Sequence, residues 1–181
     1  MNRFQKLEME ELHRKTPEEI RLSEKMPVVV VLDNVRSLHN TGSIFRTCDA
    51  FAVTALLLCG ISATPPHREI HKAALGAENT VNWRYFPTTM QAVEHLKAEK
   101  YALWGIEQTR NSTLLGNFRM EQYVRHAFIF GNEVRGIEQE VINCCEGCIE
   151  IPQFGAKHSF NVSVCAGIVL WECYRQLSPM S

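Results

Sequence analysis

The run VVVVL at Val28–Leu32 constrains the fold more than any other stretch. It is short, wholly apolar and β-branched. A run of that kind reads as a strand covered on both faces, the way strands of a parallel sheet are buried. The rest of the chain follows suit. Strands are expected at VTALLLCG, TVNWRYF, YALWGIE, HAFIFGN and CIEIP. Between them lie helical stretches: TGSIFRTCDAFA, PPHREIHKAALG (opened by prolines), TTMQAVEHLKAEK with a threonine cap, GIEQEVINCCE, and the closing FNVSVCAGIVLWECYRQL. Strands alternating with helices predict an α/β fold, a mostly parallel sheet with helices on both faces. Ahead of it, residues 1–27 read as an N-terminal helical extension. Thr16 and Glu19 have the spacing of a capping box, and Pro17 suits a first helical turn. Residues 28–181 then form the main domain.

Composition narrows the classes. A chain of 181 residues, 45% hydrophobic and 22% charged, is of ordinary globular make-up for one domain. No apolar run is long enough to span a membrane, and the charged start MNRFQKLEMEELHRK has no apolar signal core. Seven cysteines, an odd number without a secretion signal, argue for reduced thiols and a cytoplasmic protein. Cys145 and Cys148 have C-x-x-C spacing, but no second ligand pair accompanies them, so no metal is expected. The net charge of −1 argues against a broad nucleic-acid surface and leaves room for a local basic patch.

Parallel sheets bind ligands beyond the carboxyl ends of their strands. Three loops there are rich in Gly, Asn and charge: DNVRSLHNTGSIFR, GNEVRG and IPQFGAKHSFN. The first lacks the G-x-G-x-x-G of a dinucleotide fold, which also disfavours the common glycine-rich methyltransferases. GAKHS separates the glycine and lysine that a phosphate-binding loop joins. No G-x-S-x-G of a serine hydrolase is present.

Together the loops show a different pattern. NTGSIFR (Asn40–Arg46) fits N-x-G-x-x-x-R, FGNEVRG (Phe130–Gly136) contains G-N-E-x-x-G, and IPQFGAKHSFNVSVCAGI fits I-P…G…S-[LF]-N-V-S…A. In this order and spacing the chain resembles the SpoU family of RNA ribose 2′-O-methyltransferases, within the SPOUT superfamily, from Val28 to about Leu177. The resemblance implies a C-terminal trefoil knot that wraps the methyl donor S-adenosylmethionine, with Gly155 and Ser159 small enough for tight threading. It implies cofactor contacts from Gly131, Ile151 and Phe160, with Thr109 a further candidate. Phe160 stands where most family members carry leucine.

The same resemblance gives the catalytic constellation as Arg46, Asn40, Glu133, Ser159 and Asn161. Arg46 takes the ribose proton with help from an RNA phosphate. A guanidinium is a very poor base, so its alternative role is to stabilise the developing alkoxide and clamp the phosphate. Asn40 fixes the arginine loop, and Glu133 pairs with Arg46 or with a backbone amide. Ser159 and Asn161 orient the ribose or line the knot. Lys157, His158, Arg135 and Arg36 are candidates for RNA contact, and His39 is taken as a loop residue. The implied activity is methyl transfer to a ribose 2′-hydroxyl of RNA. tRNA is favoured over rRNA, since the short flanks hold no added RNA-binding domain. The alternatives are an RNA-binding module with a vestigial cofactor site, a relative methylating a base nitrogen, and a small-molecule methyltransferase. The closing helix has more apolar surface than one face needs, Trp171 included, and a homodimer is expected.

Overall fold

A computed structural model describes residues 4–8, 11, 16–121, 123–156 and 159–177. In chain order the elements are α1 (Pro17–Leu22), β1 (Met26–Asp33), α2 (Leu38–Ala50), β2 (Val53–Cys59), α3 (Arg68–Ala74), β3 (Trp83–Phe86), α4 (Thr89–Ala98), β4 (Tyr101–Ile106), β5 (Thr113–Leu114), β6 (Arg125–Phe130), α5 (Gln139–Ile142), β7 (Gly147–Glu150) and α6 (Val162–Leu177). The seven strands make one sheet in the order β3-β2-β1-β6-β4-β7-β5. Every pairing in it is parallel, as the apolar runs predict.

β1 explains why VVVVL carries no polar residue. Val28, Val30 and Leu32 point into one core, and Val29 and Val31 into the other. The first core is closed by α2 (Ile44, Phe45, Cys48), α3 (Ile70, Ala74) and α6 (Ala166, Val169, Leu170). The second is closed by α4 (Ala92, Val93, Leu96) and by Val141 of α5. Each fully buried aliphatic side chain contributes about 1.5–3 kcal/mol of transfer free energy, so the register of β1 is fixed from both sides.

The Thr16–Glu19 capping box forms: Glu19 N–H donates to Thr16 Oγ1 at 3.3 Å, and Thr16 N–H to Glu19 Oε2 at 2.7 Å. The helix has six residues and ends at Leu22; of the helix expected ahead of it, residues 4–8 are not helical, and residues 1–3, 9–10 and 12–15 lie outside the described ones. β1 starts at Met26, two residues before Val28. GIEQEVINCCE holds only the four residues of α5, because Glu138 is extended and the chain beyond tightens into i→i−3 turns at Cys144 and Cys145. β5 has two residues, too short and exposed to leave a period-two pattern.

Two buried polar side chains organise the sheet. Asp33, at the end of β1, accepts from Thr89 Oγ1 at 2.5 Å, from Asn34 Nδ2 at 2.8 Å and from Glu138 N–H at 3.1 Å. It thereby ties α4 and α5 to the central strand. His126 accepts the Trp104 indole N–H at 3.2 Å, and burial holds its pKa below the usual 6.5.

Candidate active site

The chain runs from β1 outward to β3, then crosses to β4 on the far side of β6. The carboxyl ends of β4, β6 and β7 therefore open together, the place where such sheets bind ligands. A cavity of about 400 Å³ lies there. Its apolar wall is Ile106, Phe130, Ile149, Ile151 and Val162, and its polar groups include Glu107, Glu133, Arg135 and Glu150.

The loop after β6 folds back on itself. Asn132 N–H donates to Gly136 O at 3.2 Å, and Gly136 N–H to Asn132 O at 3.0 Å. Asn132 Oδ1 accepts from the N–H groups of Val134 at 3.1 Å and Arg135 at 2.9 Å. A Cβ on Gly131 would sit 2.0 Å from the Gly136 carbonyl carbon, and Gly136 itself has φ +68°. Both glycines of G-N-E-x-x-G are thus required by the backbone. Glu107, which the motifs do not mark, holds this loop from β4. One of its carboxylate oxygens accepts from Ile137 N–H at 3.0 Å, the other from Gln108 N–H at 3.0 Å. Its only trace in the sequence is an acidic residue closing an apolar strand.

NTGSIFR lies within α2, in keeping with the helix expected from Thr41, and the helix begins three residues earlier, at Leu38. Ser37 caps α2, and His39, expected in a loop, is its second residue, exposed beside Arg46 on the outer stripe. Gly42 is where α3 crosses α2: a Cβ there would come within 2.6 Å of the Ala73 Cβ and 2.7 Å of the Ile70 carbonyl oxygen. Asn40, almost fully buried, joins the three motifs. Its Nδ2 donates to Glu133 Oε1 at 2.5 Å, and its Oδ1 accepts from Asn161 Nδ2 at 3.0 Å. These contacts span 93 and 121 residues of sequence. Glu133 therefore pairs with Asn40, not with Arg46 or a backbone amide. Asn161 has a second duty: its Oδ1 accepts from Ser163 N–H at 2.9 Å and caps α6.

Arg46 is exposed, and no hydrogen bond or ion pair holds its side chain among the described residues. Arg36 and Arg135 are exposed too, while Lys157 and His158 lie outside the described residues. Of the expected cofactor residues, Gly131, Ile151 and Phe160 line the cavity, as does Ser159. Thr109 is not among the lining residues. A Cβ on Gly155 would meet nothing within 4 Å among the described residues, so the steric reason expected for this glycine is not seen there. Burial pushes the Cys145 thiol up to about 12, and all seven cysteines are unpaired. Among the described residues no helix is long and apolar enough to cross a membrane.

The chain is similar to the tRNA (guanosine(18)-2′-O)-methyltransferase of Thermus thermophilus, 30% identical over 170 residues that cover 93% of this chain and 85% of that protein. It is 31% identical to the 23S rRNA (guanosine-2′-O-)-methyltransferase RlmB of Neisseria meningitidis over 152 residues, 83% of this chain and 59% of the relative. Among solved structures, the TrmH/SpoU tRNA modifying enzyme of Aquifex aeolicus superposes with a TM-score of 0.77 at 25% identity, covering 88% of this chain and 80% of that one. Residues 27–171 match the model of the SpoU rRNA Methylase family, and the chain belongs to that family.

Proposed function

We propose that this protein transfers a methyl group from S-adenosylmethionine to a ribose 2′-hydroxyl of RNA, with tRNA favoured over rRNA. One observation carries the reading. Asn40 is hydrogen-bonded at once to Glu133 and to Asn161, so the three motifs meet at the mouth of the 400 Å³ cavity. The tRNA preference rests on the named activity of the Thermus thermophilus relative, of which the match covers 85%, against 59% of the rRNA enzyme.

The cavity suits the cofactor. About 400 Å³ falls within the range of small-molecule sites. Gly131 and Ile151 offer main-chain groups at strand ends, and Phe160 an aromatic face. The carboxylates of Glu107 and Glu150 complement cationic parts of a ligand, and Arg135 its carboxylate. When bound, S-adenosylmethionine supplies a methyl group already activated on a sulfonium. The protein's task is then to position the acceptor and handle its proton.

Arg46 is the group for that task. Its guanidinium has no intramolecular partner among the described residues, which leaves its planar fork open to an RNA phosphate. There it stabilises the alkoxide that develops as the 2′-hydroxyl proton passes to solvent water and the oxygen takes the methyl group. Asn40, Glu133 and Asn161 position α2 against the cavity, and Ser159 sits at its rim. Residues 28–181 act as one methyltransferase domain behind the 1–27 extension. The common wall that 131–136 makes with Ile149, Ile151, Ser159 and Phe160 supports the C-terminal knot that the family resemblance implies.

A homodimer completes the reading. Val164, Trp171 and Tyr174 leave an apolar stripe exposed along α6, with Trp171 56% accessible, and Phe154 beside the cavity mouth is 98% accessible. Seven unpaired cysteines support a cytoplasmic location. The test is methyl transfer: labelled S-adenosylmethionine, tRNA and rRNA, then digestion to nucleosides. A 2′-O-methylnucleoside from tRNA is expected, and a base-methylated product would overturn the ribose assignment.

A further inference from the structure

A second cavity, about 540 Å³, lies away from the first, between α3 and the start of β3. Its walls are flat and apolar: Pro65, Pro66, Ile70 and the indole of Trp83. Trp83 is held edge-on against Phe45 of α2, ring centroids 6.2 Å apart at 88°, which leaves it a fixed platform. Arg68 stands exposed on the rim. The neighbouring carboxylate in sequence, Glu69, is paired with Lys72 at 2.9 Å, and no ion pair holds Arg68 among the described residues.

Within the cavity is an unusual acceptor. The Glu78 side chain is only 10% exposed. Its Oε1 contacts the Nδ1 of His71, but its Oε2 is buried with no donor among the described residues. A buried oxygen left without a donor is costly, and an observed one calls for a ligand or a function. His71 covers that end with a side chain 67% exposed.

Position joins this cavity to the active site. Gly42, Phe45 and Asp49 of α2 lie on one stripe and touch, in turn, α3, Trp83 and Thr80. Arg46 follows Phe45 by one residue and Gly42 by one turn, so it borders the same flank.

We propose that this cavity is a nucleobase subsite. Resting on the RNA reading above, it takes one unpaired base of the substrate near the methylated nucleotide. The base stacks on Trp83, its phosphate lies on Arg68, and its amino edge displaces His71 to donate to Glu78 Oε2. Stacking on an aromatic accepts any base, whereas a carboxylate acceptor selects bases with an exocyclic amino group over uracil.

The test is two-dimensional NMR of protein labelled with ¹⁵N at tryptophan, which resolves the three indole N–H signals. Trp83→Phe assigns the relevant one. Titration with short oligo-A and oligo-C is expected to shift the Trp83 signal saturably, and oligo-U to bind about tenfold more weakly, one lost hydrogen bond to a charged group. Arg68→Ala, at an exposed position, is expected to weaken oligo-C about tenfold, and Glu78→Gln to narrow the gap between C and U. A Trp83 signal that stays fixed, or that moves equally for C and U and ignores Arg68→Ala, overturns the proposal. Methyl transfer to tRNA by the unmodified protein is run alongside. Transfer with a silent Trp83, and an unchanged KM for tRNA in Arg68→Ala, sinks the subsite alone. A responsive Trp83 without any transfer sinks the methylation reading and leaves the subsite standing.

Discussion

Replacing Asn40 with alanine tests whether the three motifs are held together or merely adjacent. Two bonds are lost. The one to the Glu133 carboxylate, at 2.5 Å, belongs to a class that contributes about 1.5–3 kcal/mol, and the neutral one from Asn161, at 3.0 Å, to a class of about 0.5–1.5 kcal/mol. Glu133 and Asn161 are both exposed, so water can satisfy them once Asn40 is gone. The low end applies, about 2 kcal/mol in all. For a chain of 181 residues that is a fall in Tm of roughly 4–8 °C. The assay is thermal and urea denaturation at one protein concentration, because self-association would shift the midpoint. Paired with Glu133→Ala in a double-mutant cycle, Asn40→Ala should show a coupling of about 1–1.5 kcal/mol, and with Asn161→Ala about 0.5 kcal/mol. Additivity in both cycles, within about 0.3 kcal/mol, would refute the idea that Asn40 ties the β6 loop to the cap of α6.

Three further outcomes are expected. Arg46→Ala should leave cofactor affinity unchanged by calorimetry and cut single-turnover methyl transfer by about a hundredfold or more, and Arg46→Lys should not restore it, since an ammonium lacks the planar fork. Gly131→Ala should abolish cofactor binding in the same titration, because its Cβ would stand 2.0 Å from the Gly136 carbonyl carbon and force the loop open. His126, with its pKa held low by burial, binds fewer protons folded than unfolded below pH 6.5. Its contribution to stability is full above pH 6.5 and drains away as pH falls toward the folded pKa. His126→Gln should flatten that acid slope in urea melts between pH 7 and 5.

The sheet was legible because burial leaves a compositional mark. Strands covered on both faces carry few polar residues, each needing a partner as Asp33 and His126 have, so β1, β2 and β6 stand out as apolar runs. α5 and β5 left no such mark, since four and two residues are too few for periodicity to speak. The motifs were legible as text but not as mechanism. Gly42 falls in a stretch that reads as helix, yet nothing in that text tells that another helix crosses there. Glu133 invites a cation as partner, yet it takes an amide from α2.

That exchange of partners bears on how the site works. Were Glu133 bound to Arg46, the guanidinium would be neutralised before RNA arrived, and the phosphate would have to displace a carboxylate. With Asn40 occupying Glu133, the arginine keeps its charge and its fork. Asn40 can do this because an amide is both donor and acceptor: Nδ2 faces Glu133 while Oδ1 faces Asn161. An aspartate at 40 would set a carboxylate against Glu133, and a leucine would take away the amide that Glu133 accepts from and the oxygen that Asn161 Nδ2 donates to, leaving Asn161 only its cap on Ser163. The side chain that must be an amide is thus fixed by its two neighbours, and those neighbours come from the other two motifs. A pattern spread over 122 positions from Asn40 to Asn161 is, in the folded chain, one hydrogen-bonded unit that leaves Arg46 without a partner among the described residues.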